Sequence, residues 1–246
     1  MIDPLPVVIL FTFLLAGLVK GVIGLGLPTI AVGLLSLAMT PAEAAALLVV
    51  PSLVTNIWQL AAGPSFTALA RRLWPMMLGV CLGTWAGSGS LTGADAAQAS
   101  TALGIALLVY AGLGLTTLRL SVPPGWERPL APMIGAATGL VTAATGVFVI
   151  PAVPYLQALG LAKDDLVQAL GLSFTVSTVA MAASLAHEGA FGSADATLSL
   201  LALAPALAGM GLGRWLRRRI SAETFRRGFF VGLLALGTHL ALRGVL

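Results

Sequence analysis

Long stretches without a single charged side chain decide what this chain can become. They run from Ala44 to Ala70, Leu73 to Ala94, Ala96 to Leu118, Pro129 to Ala162, Leu166 to Ala186 and Ala196 to Gly213. As helix, at about 1.5 Å of rise per residue, each approaches or exceeds a hydrocarbon core of about 30 Å. With 9% charged against 58% hydrophobic residues and a mean hydropathy of +1.00, there is too little charge to cover a water-soluble globule. The sequence therefore predicts an all-α polytopic membrane protein. A last apolar stretch, Gly228 to Leu246, is interrupted by Arg243, whose long side chain can snorkel to an interface.

The isoelectric point near 10.0 points to membrane topology and not to nucleic acid, because the basic residues border the apolar stretches. Arg71-Arg72, Arg119 with Arg128, and the segment Arg214 to Arg227 belong in the cytoplasm by the positive-inside rule. One crossing per uncharged stretch places the last of these on the wrong side. The conflict disappears if Pro129 to Ala162 enters and returns, turning near Gly146 before Pro151. The first apolar run, Leu5 to Leu37, has the same length and the same kind of break at Gly24-Leu25-Gly26-Leu27-Pro28. With both read as hairpins, all basic residues except Lys20 and Arg243 fall inside, and the outer loops hold acids only, with Asp3, Glu43, Glu188 and Asp195 external. Both termini are then external, and Trp74, Trp126 and Trp215 sit beside the inner arginines, where interfacial indoles belong. Met1-Ile2-Asp3-Pro4 lacks the basic start of a cleavable signal peptide. The lone Cys81 allows no internal disulfide.

Gly17-Leu18-Val19 recurs as Gly139-Leu140-Val141, and at the same offset Gly24 meets Gly146. The expected architecture is two inverted repeats, each a broken or re-entrant helical hairpin plus three transmembrane helices, as in many secondary transporters. Residues 1–120 form the first repeat, with hairpin 5–38 and spans 44–62, 73–92 and 96–118. Residues 121–128 form a cytoplasmic linker. The second repeat, 129–246, has hairpin 129–161 and spans 166–186, 196–214 and 228–246.

Lys20 is the one lysine or arginine within the first apolar run. An ionisable residue at membrane depth costs about 3 kcal/mol on insertion scales, which makes it a functional candidate. Gly24 and Gly26 permit a turn just beyond it, and Pro28 suits the first turn of a returning helix. Such a tip presents unpaired N–H groups and the positive end of a helix dipole, a ready anion site. Two tips meeting near the midplane, with Gly146 at the second, would enclose a small anion. Thr55, Asn56 and Gln59 follow the first tip, and Ser173, Thr175, Ser177 and Thr178 follow the second, as hydrogen-bond donors. Most single Ser and Thr hydroxyls in such helices satisfy their own backbone instead. Gly79, Gly83 and Gly87, and likewise Gly209 and Gly213, read as close helix packing.

The stretch from Gly17 to Pro28, followed by a weaker copy in the second half, resembles the sulfite exporter TauE/SafE family, also called the 4-toluenesulfonate uptake permease family. The resemblance implies a permease of the bacterial cytoplasmic membrane for sulfite, sulfoacetate and related sulfonates or organic anions. The expected partners are a small anion and the lipid bilayer, without nucleic acid; self-association into a homo-oligomer is left open. No cofactor or metal is expected, since His187 and His239 lack ligand spacing. The competing classes are an embedded enzyme acting on a lipid phosphate and a non-transporting membrane subunit. The first would need acid and base groups near its site, yet no carboxylate accompanies Lys20, His239 and Cys81 within the apolar stretches.

Overall fold

The computed structural model describes residues 5–93, 96–116, 121–123 and 125–243. Asp3 and Arg119, to which the topology assigns sides, lie outside the described residues. Every regular element among the described residues is a helix: α1 Leu5–Ile23, α2 Leu27–Leu35, α3 Pro41–Ala61, α4 Phe66–Ala86, α5 Ser90–Gly93, α6 Ala96–Leu115, α7 Glu127–Thr145, α8 Ala152–Ala158, α9 Lys163–His187, α10 Ser193–Leu216 and α11 Ala222–Arg243. Among the described residues, α1, α3, α6, α9 and α10 are long and apolar enough to cross a membrane. Large apolar side chains face outward, among them Phe11, Leu82, Met133 and Leu201, as a lipid-facing surface requires.

The two breaks fall where glycine and proline place them. Gly24 and Gly26 adopt φ of 88° and 104°, a left-handed conformation that side chains resist. Pro28 then occupies the first turn of α2, where its missing N–H is no loss. At 9 residues, α2 spans only about 14 Å. Thr40 and Glu43 form a reciprocal capping box that restarts the chain as α3. At the second break Gly146, at φ 72°, ends α7, and α8 has 7 residues. The segment between them is apolar and buried: Val147, Phe148 and Val149 are each 0% exposed.

The helices pair in a few extensive contacts. α1 packs on α10 as α7 packs on α4, while α3 meets α9 and α6 meets α11. Glycines set the first two contacts. A Cβ on Gly17 or Gly209 would lie 2.1 Å from Ala206 O or 2.0 Å from Leu14 O; on Gly83 or Gly135 it would lie 2.1 Å from Ala136 O or 2.0 Å from Met76 O. These helices touch backbone to backbone, the packing available when lipid supplies no hydrophobic drive between helices. The spacing Pro75, Gly79, Gly83 recurs as Pro205, Gly209, Gly213. Gly17 and Gly21, part of the lysine-bearing motif, thus serve packing against α10.

Polar side chains repair what the prolines break. Pro51 within α3 has no N–H for the Leu47 carbonyl. Ser199 of α10 fills the gap, donating to Leu47 O at 2.8 Å and accepting from Val50 N at 2.9 Å. α4 begins at Phe66, so Arg71 and Arg72 lie in its second turn and not in a loop. Arg72 clasps Glu127 of α7 through Nε to Oε1 at 2.6 Å and Nη2 to Oε2 at 2.8 Å.

Candidate functional site

Lys20 lies in the last turn of α1, 5% exposed. Its Nζ donates to Asn56 Oδ1 on α3. Asn56 Nδ2 donates at 2.9 Å to Ser52 Oγ, one turn earlier on the same helix. Ser52 Oγ lies 3.0 Å from Thr178 Oγ1 on α9, and Thr178 Oγ1 is itself 2.7 Å from the Phe174 carbonyl. Because a carbonyl can only accept, the Thr178 proton goes to Phe174, and Ser52 must donate to Thr178. The protons therefore point one way along a buried chain, from Lys20 through Asn56, Ser52 and Thr178 to Phe174 O. Aligned bonds of this kind reinforce one another in a low dielectric. The Phe174 ring packs at 5.4 Å, centroid to centroid, against Phe148 of the second break. One polar thread thus joins the approach to the first break with the flank of the second.

Among the described residues no carboxylate lies within ion-pair distance of Lys20. A Cβ on Gly21 would meet Met210 O, Gly213 Cα and Arg214 N within 3.0 Å. Lys20 therefore sits toward the arginine-bearing end of α10. A Cβ added at Gly24 would meet nothing within 4 Å, so this tip borders open space, while Gly26 is packed by Val19 and Phe229. Gly146 abuts Ala45 and Val32, residues near the opposite ends of α3 and α2 from Asn56 and Gly26.

The remaining candidates take local roles or none. Thr55 Oγ1 donates to Pro51 O at 2.7 Å, and Thr175 Oγ1 to Gly171 O at 2.7 Å, each bonding its own helix. Gln59 Nε2 donates to Val167 O at 3.0 Å. Next to it Gln168 donates to Leu60 O and Gly63 O and accepts from Ser65 N. These two glutamines lace the end of α3 to the start of α9, away from Lys20. Ser173 and Ser177 are buried with hydroxyls that have no partner among the described residues. Lys20, Asn56 and Thr178 are brought together. Ser52 joins them without having been singled out; its position four residues before Asn56, on one helix face, was the available signal.

Among the described residues no three His, Cys, Asp or Glu side chains are placed to hold a metal ion. The family model for the sulfite exporter TauE/SafE matches residues 9–240. The chain belongs to that family. Neither curated proteins nor solved structures returned a match. As a TauE/SafE protein it is a membrane transport protein, and the apolar helices and outward-facing apolar side chains fit that setting.

Proposed function

We propose that this TauE/SafE protein is a permease for small sulfur-containing or organic anions, with Lys20 supplying the charge that the anion meets. The single observation that carries the reading is a buried lysine held by a neutral acceptor, Asn56, with no carboxylate to neutralise it among the described residues. A carboxylate partner would compete with an anionic substrate, whereas an amide oxygen holds the lysine and yields to a full negative charge. The unpartnered hydroxyls of Ser173 and Ser177 on α9 suit the oxygens of a sulfonyl or carboxylate group as donors. The thread from α1 through α3 to α9 supports a mechanism in which two inverted halves rock against each other and the anion exchanges sides.

The test is flux into liposomes containing the purified protein. Sulfite, two-carbon sulfonates and carboxylates are compared for wild type and Lys20→Ala. Saturable flux that disappears in a folded Lys20→Ala protein is the expected result. Undiminished flux in that variant would move the site away from Lys20. An absence of flux for every anion would overturn the permease reading.

A further inference from the structure

At the far end of α11 from the arginine run, a cavity of about 380 Å³ opens where the α2–α3 turn meets the start of α6. It is lined by Ser36, Leu37, Thr40, Glu43, Ser100 and Arg243. The volume lies within the range of about 300–1,000 Å³ usual for small-molecule sites. Among the described residues two opposite charges line it, and no ion pair joins Arg243 and Glu43.

Both charged groups are held in place by one edge, with no further partner at the other among the described residues. Arg243 reaches back across the fold through Nη1 to the carbonyls of Ser36 and Leu37, at 3.4 and 3.2 Å, closing the C-terminal end of α2. Its Nε and Nη2 donors make no bond among the described residues, which leaves the fork that grips an oxyanion at two points. Glu43 uses Oε2 in the capping box, accepting from Thr40 N at 2.8 Å and Thr40 Oγ1 at 2.9 Å. Its Oε1 stays free. Ser100 lines the same space. Ser36, 2% exposed, likewise has an unpartnered hydroxyl.

The geometry points to a zwitterion site separate from the Lys20 thread: Arg243 takes an oxyanion, and Glu43 accepts from an ammonium on the same molecule. A simple anion would face Glu43, and a simple cation would face Arg243, so neither matches the pair. The same chemistry is carried by a phosphoethanolamine lipid headgroup and by soluble amino acids or aminosulfonates.

Calorimetric titration of the purified full chain with glycerophosphoethanolamine, glycerol phosphate and ethanolamine tests this. Wild type binds the zwitterion at least tenfold more tightly than either half-molecule, and Arg243→Gln and Glu43→Gln each weaken it at least tenfold. Glu43→Gln keeps a capping-box residue at its position, so its effect is not a folding defect even if Arg243→Gln is unstable. Native mass spectrometry separates the sources. Phosphatidylethanolamine retained by wild type and lost from both variants assigns the site to lipid. Binding of the soluble zwitterion to delipidated protein, with no lipid retained, assigns it to a solute. Equal affinity for zwitterion and half-molecules, binding unchanged in Glu43→Gln, or no binding with no retained lipid overturns the proposal.

Discussion

Replacing Asn56 by leucine removes at one stroke the acceptor for Lys20 and the donor to Ser52. A hydrogen bond to a charged group contributes about 1.5–3 kcal/mol, and a neutral one about 1 kcal/mol. Both groups left behind are buried, Lys20 at 5% exposure and Ser52 at 0%, so water cannot replace what is lost. Asn56→Leu is therefore expected to destabilise the protein by about 3 kcal/mol. Lys20→Met removes the buried charge and leaves the Asn56 amide oxygen unpaired, a smaller loss of about 1–3 kcal/mol. In the double variant neither partner remains to be orphaned, and stability should recover by about 1.5–3 kcal/mol relative to the sum of the single losses. Thermal unfolding followed by tryptophan fluorescence gives the cycle, and liposome flux is recorded on the same preparations. The double variant should be folded and inactive, which separates the lysine's function from its structural cost. An Asn56→Leu protein as stable as wild type, or a double variant no better than the two losses added, would refute the claim that Asn56 holds Lys20.

Gly17→Ala places a methyl 2.1 Å from Ala206 O, so α1 and α10 must part by more than about 1 Å; a loss of about 1–3 kcal/mol is expected in thermal unfolding. Gly112→Ala, with nothing within 4 Å of the added Cβ, should be neutral or gain about 0.5–1 kcal/mol, and equal effects at the two sites would contradict the backbone-to-backbone packing. Ser199→Ala strands the Leu47 carbonyl beneath Pro51 and should cost about 1–3 kcal/mol; restoring the helix N–H by Pro51→Ala should recover part of it, and no recovery would argue against the repair role. Burial opposes ionisation of Glu188, but bonds from the Ser88, Thr92 and Ser184 hydroxyls and the Gly89 N–H together hold its carboxyl below the ordinary glutamate range. Its stabilisation is thus complete above the unfolded value of about 4.3 and is lost as pH falls through the lower folded value. Unfolding midpoints taken from pH 7 down to pH 3 should drop more steeply for wild type than for Glu188→Gln; parallel curves would show that the carboxylate contributes nothing.

Much of this protein was decided by features that act locally. Hydropathy and the placement of charge dictate membrane helices, because each segment must satisfy its own backbone in lipid. The breaks at Gly24 to Pro28 and at Gly146 appear where left-handed glycine and a donorless proline leave little choice. Even the close helix pairs were legible in the spacing of Gly79, Gly83, Gly209 and Gly213. What those glycines touch was not.

Partnership between polar groups belongs to the tertiary structure. Asn56 and Gln59 lie within one turn of each other on α3, yet the first meets Lys20 and the second a carbonyl on α9. On helices that are apolar on nearly every face, sequence periodicity marks no buried side, so it cannot say which neighbour a hydroxyl or amide will find. Ser52 gained its place from the approach of Thr178, 126 residues away. Arg243, read from the sequence as a side chain able to reach an interface, also donates to the carbonyl of Leu37, 206 residues before it, a partner that no local pattern announces. Composition and local geometry built the helices; the order in which glycine-lined helices dock determined which buried charges and donors share a site.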